Sequence, residues 1–277
     1  MDMKKNSKKN MLFLLLIIII IILYLGSFRW LLISWLTMDS YNHGFLIPIV
    51  SIFLIWRKRG SLFEDKGNKN PFLFIFSLII YLLGQITGSI FITTISLIPF
   101  ILGLIQFFRG TKQAKDLAFP IIFLIFAIPL PNLESILFYL QSISTILATN
   151  IAHLLGVSCS YEGCQIFMNG TIFAIAPECS GFNSIISFYT LVTLLVYLIS
   201  DPFKDKIILL IAAFPIALFT NALRIAITLL IASNYGVEQG IRYFHDWGGI
   251  TFYLMAIILI FILLRCIRWM RKISIKQ

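Results

Sequence analysis

Long apolar runs, separated by short polar stretches, dominate the sequence from residue 11 onward. Several exceed about 18 residues, the length at which an apolar helix can cross the hydrocarbon core of a bilayer. The second run is short and must tilt or extend through residues 39–43 to span. The pattern predicts an all-α integral membrane protein with about eight transmembrane helices. These are segments 11–30, 44–56, 71–88, 91–108, 117–130, 181–200, 207–232 and 248–266.

Lys and Arg residues concentrate between alternate segments, which indicates the orientation in the membrane. With the N-terminus inside, the inner segments hold 19 of the 22 basic residues. The first apolar run follows the basic residues 1–10, but it is too long for a signal peptide and lacks a small-residue cleavage site. We therefore expect a multi-pass protein of the cytoplasmic (inner) membrane with both termini cytoplasmic. The inner segments are 1–10, 57–70, 109–116, 201–206 and 265–277, with 267–277 as a basic tail.

Composition agrees with this topology. The 277 residues are 59% hydrophobic and 12% charged, with a mean hydropathy of +0.95, and a soluble domain of this length cannot bury so much apolar surface. The net charge of +10 comes from the inner loops, so it needs no nucleic-acid partner. No internal repeat or long linker divides the chain, and residues 1–277 are predicted to form a single membrane domain.

One long stretch, residues 131–180, is predicted as an extracytoplasmic insert. Residues Leu133 to Leu155 form an amphipathic pattern that predicts a helix lying along the membrane interface. Two apolar stretches, Gln165–Met168 and Thr171–Ile175, then flank Asn169-Gly170. Such a pair around Asn-Gly predicts a β-hairpin. Cys159 and Cys164 lie in the same insert and could pair or remain free.

The hairpin leads directly to Glu178-Cys179-Ser180-Gly181, where the sixth apolar segment begins. A thiol at a helix N-terminus lies at the positive end of the helix dipole, which lowers its pKa and raises its reactivity. The alternative is an ordinary buried cysteine, since free Cys often serves as a small apolar residue.

Arg224 lies within the seventh apolar segment, about 12 Å below its outer end at 1.5 Å per residue. A charge at that depth costs a few kcal/mol and usually faces a bundle interior or a wet cavity. Asn221 and Thr228 are at helical spacing from it, so a polar stripe is predicted along one face. The alternative is an arginine that extends toward the membrane surface.

His245 precedes the eighth segment in a predicted outer loop, beside Asp246. A neutral imidazole can accept a thiol proton and return it to a leaving group. An exposed loop histidine without function is the alternative. His43, which is also predicted to lie outside, could transfer the proton in place of His245 or assist it.

Cys179, Arg224 and His245 come from three segments, yet the predicted topology brings all three to the outer half of the membrane. A thiolate, a fixed cation and an imidazole together can attack a peptide carbonyl, stabilise the oxyanion and move the proton. No metal or cofactor is expected, because the sequence has no ligand spacing typical of zinc and no phosphate-binding glycine loop.

Five motifs in order resemble the exosortase/archaeosortase family. They are Tyr41-Asn42-His43-Gly44-Phe45-Leu46-Ile47-Pro48, Ile128-Pro129-Leu130-Pro131, Pro177-Glu178-Cys179-Ser180-Gly181, Asn221-Ala222-Leu223-Arg224-Ile225 and Phe244-His245. The resemblance covers residues 11 to 266. Phe182-Asn183 depart from the pattern of many members, which have an aliphatic residue and then Arg.

The resemblance implies a membrane cysteine peptidase/transpeptidase with Cys179, Arg224 and His245 as its catalytic residues. Glu178, Asn221, Asp246 and His43 would support them. Its partners would be exported proteins that end in a short sorting motif of the PEP-CTERM kind, a transmembrane helix and a basic tail. Membrane lipid would surround the protein, and a lipid or glycan could accept the acyl group.

Two other functions fit the sequence. A transporter or polysaccharide-export component could use Arg224 as an anion site, although no inverted repeat is evident. A lipid-linked glycosyltransferase would need outward carboxylates, and the candidates Glu134, Glu162, Glu178 and Asp246 follow no recognisable pattern.

Overall fold

A computed structural model describes residues 18–59, 68–131, 134–175 and 181–274. The predicted cytoplasmic segment 1–10, the motif residues Pro177, Glu178 and Cys179, and the end of the basic tail at 275–277 lie outside the described residues. The chain divides into two compact units, Met1–Pro131 and Asn132–Gln277, called here the N-terminal and C-terminal units. The single membrane domain stays a prediction.

All described secondary-structure elements of the N-terminal unit are helices. Residues 18–23 are helical and precede α1. The elements are α1 (Leu25–Thr37), a 3₁₀ helix (Asp39–Phe45), α2 (Leu46–Arg57), α3 (Phe72–Ile86), α4 (Ile90–Ile95), α5 (Leu97–Arg109), α6 (Thr111–Asp116), α7 (Ala118–Ile122) and a second 3₁₀ helix (Phe123–Ala127).

Helices α3, α4 and α5 form a tightly packed hairpin. Ser89 caps α4 by accepting a hydrogen bond of 3.4 Å from the backbone N–H of Ile92. A Cβ at Gly103 would lie 2.5 Å from the backbone nitrogen of Phe74, and one at Gly84 would lie 2.5 Å from Thr93 Oγ1. A larger residue at either position would collide with the neighbouring helix, because close approach of membrane helices depends on small residues.

The described part of the C-terminal unit contains four long helices, one shorter helix and a small sheet. Its elements are α8 (Glu134–Leu154), β1 (Ser160–Glu162), β2 (Gln165–Met168), β3 (Thr171–Ala174), α9 (Phe182–Leu198), α10 (Phe203–Tyr235), α11 (Val237–Asp246) and α12 (Gly248–Ser274).

The predicted β-hairpin is confirmed as β2 and β3, which pair antiparallel with Met168 opposite Thr171. Asn169 and Gly170 have φ of 50° and 75°, the positive values that a two-residue turn matching strand twist requires. The sequence did not predict β1, which adds a third strand beside β2. Cys159 and Cys164 are free thiols, so the pairing that the sequence left open is absent.

Four helices among the described residues are long and apolar enough to cross a membrane: Ile90–Arg109, Ser135–Leu154, Phe203–Tyr235 and Gly248–Ile273. Three shorter apolar helices are Phe72–Ile86, Ala118–Ala127 and Phe182–Leu198. The helical membrane architecture is therefore confirmed, and the number of eight spans stays a prediction.

Helix α8 confirms the predicted helical span but not its predicted position along the interface. Its polar side chains Gln141, Ser144, Thr145 and Thr149 are buried, whereas apolar Phe138 and Tyr139 are exposed. An interfacial helix would direct its polar face to water. Hydropathy misled the prediction because it does not distinguish polar residues that face protein from those that face solvent.

The packing of α8 shows how it lies in its unit. Leu140 clusters with Ala217 of α10, Ser144 contacts Asn221, and Ala148 clusters with Ile225. Later residues of α8 contact later residues of α10, so the two helices run parallel and side by side. This packing differs from that of the predicted interfacial helix, and Ser135–Leu154 is long and apolar enough to cross a membrane.

An ion cluster joins the start of α10 to the end of α12. The Arg268 Nε and Nη2 atoms donate to the two carboxylate oxygens of Asp201 at 3.0 and 2.5 Å. Arg271 binds both Asp201 and Asp205. The hydrogen bond from Arg268 holds the pKa of the Asp201 carboxyl below its ordinary value, and the Asp201 side chain is only 6% exposed.

We expect Asp201→Asn to lower the midpoint of thermal unfolding by a few degrees at pH 7. The stabilisation from a carboxylate with a lowered folded pKa is complete above the unfolded pKa of about 3.9 and is lost as pH falls through the folded pKa. The difference between variant and parent should therefore shrink on acidification, measured in detergent from pH 7 to pH 3.

Asp246→Asn is the matched control, because Asp246 pairs with Arg242 at 3.5 Å where both side chains are largely exposed, 53% and 74%. Such surface pairs add little stability. An Asp201→Asn deficit that stayed constant from pH 7 to pH 3 would contradict the assigned role of the carboxylate.

Candidate functional site

Arg224 lies in the interior of the C-terminal unit. It belongs to α10 and is separated from the helix end at Tyr235 by eleven residues, about 16 Å along the axis. The residue is 9% exposed. A guanidinium at this depth cannot rely on bulk water for solvation, so protein groups must provide it.

Asn221 and Phe244 are among the described residues that contact the guanidinium. Arg224 Nη2 donates a hydrogen bond of 2.9 Å to Asn221 Oδ1, one turn earlier in α10. The Cζ atom lies 4.4 Å from the centre of the Phe244 ring, a cation–π geometry that is stronger where water is excluded. The predicted polar stripe is thus confirmed at Asn221. Thr228 instead donates to the backbone carbonyl of Arg224 at 3.0 Å.

Asn221 also links this network to α8. Its Nδ2 atom donates to Ser144 Oγ at 3.3 Å, and both residues are fully buried. An amide that accepts from the arginine with its oxygen and donates through its nitrogen is fixed in one orientation. Asn221 therefore orients the Arg224 side chain.

Two glycines allow helix ends to reach this network. Gly181, which precedes α9, has φ of 84°, and a Cβ there would lie 2.7 Å from Asn221 Nδ2. Gly248, the first residue of α12, would place a Cβ 3.2 Å from Arg224 Cδ. The glycine of the Cys-Ser-Gly motif is therefore required by its backbone conformation and by its contact with Asn221.

The predicted nucleophile Cys179 and its neighbour Glu178 lie outside the described residues. The described residues on either side are held in the C-terminal unit. Gln141 Nε2, from α8, donates to the carbonyl of Ile175 at 3.1 Å, and Gly181 packs against Asn221. Both ends of this stretch are therefore fixed next to the buried polar residues of α8 and α10.

His245 lies in the last turn of α11 and not in the predicted loop. Its side chain is exposed, and its ring meets the Phe244 ring edge to face at 5.8 Å. Phe244 therefore touches both Arg224 and His245. Asp246 is exposed and pairs with Arg242.

His43 belongs to the N-terminal unit, in the 3₁₀ helix Asp39–Phe45. Its ring stacks on Tyr41 at a centroid distance of 6.0 Å. Burial lowers its pKa, which favours the neutral imidazole. The Tyr41 hydroxyl accepts a hydrogen bond of 3.0 Å from the backbone of Leu130, so two of the sequence motifs meet here. A role for His43 in catalysis stays a prediction.

Three residues near Arg224 were not predicted from the sequence. Phe244 stood in a motif without a role, and Ser144 was assigned to an interfacial helix. Tyr253 of α12 lies within electrostatic reach of Arg224 and shares a hydrogen bond with Ser187 of α9. Only Phe244 had a visible signal, its position next to His245. No group of three metal-ligating side chains occurs within the described ranges.

A family model described as transmembrane exosortase matches residues 35–262. The matched range includes His43, Cys179, Arg224 and His245. Searches of curated proteins and of solved structures found no match. The family match spans well over half of the chain and agrees with its long apolar helices. The chain is therefore a multi-pass membrane protein that belongs to the transmembrane exosortase family.

Proposed function

We propose that the protein is a membrane-embedded cysteine peptidase/transpeptidase that processes exported proteins. Family membership supports the class of activity. The observation that carries the proposal is the buried Arg224 guanidinium, held by Asn221 and Phe244. Gly181 of the Cys-Ser-Gly motif packs against the same Asn221.

In the proposed reaction the Cys179 thiolate attacks the scissile carbonyl carbon, and a carbon–sulfur bond forms as the carbonyl oxygen becomes an oxyanion. His245 takes the thiol proton and gives it to the leaving amine as the peptide bond breaks. The product is a thioester on Cys179. Water or an acceptor nucleophile then attacks this thioester and releases the thiol, with a proton passing back through His245.

Arg224 would stabilise the oxyanion. A guanidinium is permanently charged and keeps its donors in a planar fork. Because Asn221 and Phe244 hold this side chain in place before substrate arrives, the cation needs no reorganisation during the reaction, and such preorganised stabilisation is often the largest catalytic contribution.

The proposed site is extracytoplasmic, with cytoplasmic termini, as the distribution of Lys and Arg favours. The substrates would be exported proteins that carry a C-terminal motif, a transmembrane helix and a basic tail. Cleavage at the motif would release the protein or pass its acyl group to a lipid or glycan acceptor. The alternative, an anion site of a transporter, would use Arg224 but would need no thiol.

Cys179→Ala should abolish processing, because no other group in the proposed reaction forms the thioester. The measurement is the accumulation of uncleaved substrate in membranes that contain full-length protein. Cys266→Ala is the control, since Cys266 is exposed near the end of α12, and it should process normally. Normal substrate processing by Cys179→Ala would contradict the peptidase proposal and favour the transporter.

Arg224→Lys should lower kcat about 100-fold, the usual cost of removing one oxyanion donor. Lysine keeps the charge but has neither the planar fork nor the flat face that stacks on Phe244. Turnover of a substrate peptide measures the effect, and Arg265→Lys, at an exposed position in α12, is the control. A small change in kcat with a large rise in KM would instead assign Arg224 to substrate binding.

Phe244→Leu should lower kcat about tenfold through loss of the cation–π contact, which is worth about 1–2 kcal/mol when desolvated. Phe244→Tyr keeps the ring and should retain most of the activity. Because His245 also touches this ring, the pH profile of kcat/KM should shift in the leucine variant alone. Equal losses in both variants, with unchanged pH profiles, would reduce Phe244 to a packing role.

A further inference from the structure

The N-terminal unit contains a cavity of about 330 Å³, within the range of small-molecule sites. It is formed by residues 23–27 together with parts of α3 and α4. Every described residue that lines it is uncharged, and most carry a hydroxyl, an amide or no side chain at all. We propose that this cavity binds the uncharged, hydroxyl-bearing headgroup of a membrane lipid.

The buried hydroxyl of Ser27 favours a ligand in this cavity. Ser27 is only 2% exposed, it lines the cavity, and its hydroxyl has no hydrogen-bond partner among the described residues. A helical serine commonly donates to the carbonyl four residues earlier. That carbonyl, of Leu23, instead accepts a hydrogen bond of 3.1 Å from the Tyr81 hydroxyl. A buried polar group without a partner is costly, so a ligand hydroxyl in the cavity would satisfy Ser27.

Glycines keep the cavity open. A Cβ at Gly26 or Gly88 would meet nothing within 4 Å, so neither glycine is explained by a close helix contact. Gly88 is required by its φ of 66° in the turn before α4. Gly26 has no such requirement, and a larger side chain there would project into the empty volume. Gly26 therefore marks the position at which the cavity can be blocked.

The lining determines the chemistry of the occupant. Ser27, Tyr81 and Thr93 bring hydroxyls into the cavity, and Gln85 brings an amide. These groups both donate and accept, which suits a polyol or sugar. The negative charge of a phosphate would have no cationic partner among the described lining residues, and its burial would be costly. Leu23 and Ile90, each 38% exposed, border the same cavity, so an amphiphile with apolar chains fits better than a free sugar.

The test uses the full chain, purified in a zwitterionic detergent so that no sugar headgroup competes. Native mass spectrometry should detect monoglucosyl diacylglycerol bound at about micromolar concentration and phosphatidylglycerol only much more weakly. Ser27→Ala should weaken glucolipid binding about fivefold, as loss of one hydrogen bond predicts, and Gly26→Leu should abolish it. Thr37→Ala is the control, because Thr37 is exposed on α1 and its hydroxyl bonds to Ile33 within the helix.

The remaining outcomes of the binding experiment would contradict the lipid proposal. Equal retention of the two lipids, or equal glucolipid affinity in the parent and Gly26→Leu, would overturn the proposal and leave a cavity filled by water. Thermal unfolding of each variant shows whether the binding loss reflects misfolding, and Ser27→Ala, which leaves the helix contacts intact, serves if Gly26→Leu unfolds. Displacement of the lipid by methyl glucoside at micromolar concentration would assign the site to a free sugar instead.

Discussion

The C-terminal unit is organised by the need to bury one charge. A cation inside an apolar helix bundle costs several kcal/mol unless protein dipoles replace its water. Arg224 obtains that replacement from an amide oxygen and an aromatic face. Each of these partners is then constrained in turn: Asn221 is held by Ser144, and Phe244 is carried on a short helix that packs back toward α10. The contacts of one buried charge thus link three elements, α8, α10 and α11.

This constraint explains why α8 has its unusual distribution of side chains. A helix that supplies polar partners inside a membrane protein must turn its polar face inward and its apolar face outward, the reverse of a helix in water. Ser144 contacts the arginine network through Asn221, and Gln141, one turn earlier, holds the backbone of Ile175. The helix that supports the charge therefore also anchors the strand that leads toward Cys179.

Local chemistry was predictable from the sequence, and contacts between distant segments were not. The Asn169-Gly170 turn was predicted with its strands because its positive φ angles depend on those two residues alone. The apolar length of α10 likewise predicted a span, although the helix begins four residues earlier and ends three later than expected. The orientation of α8 depends on its packing against α10, and the hydrophobic periodicity of α8 carries no information about that contact. The contact between Phe244 and Arg224 was not predicted for the same reason, and the sequence had predicted a loop where α11 forms.

Arg224 and Ser27 differ in the partners that the described residues provide for their polar groups, and the difference bears on their proposed roles. In the C-terminal unit the buried charge is met by groups of the protein itself, which is the preorganised state that a catalytic cation needs before substrate arrives. In the N-terminal unit the Ser27 hydroxyl lies at a cavity with no partner among the described residues. In the proposed reaction Arg224 would act on a transition state, for which a cation already held by Asn221 and Phe244 is suited. The Ser27 hydroxyl instead suits a ground-state ligand that brings its own hydrogen-bonding group. The two proposals therefore differ in what the bound molecule must supply, a developing negative charge at Arg224 and a hydrogen bond at Ser27.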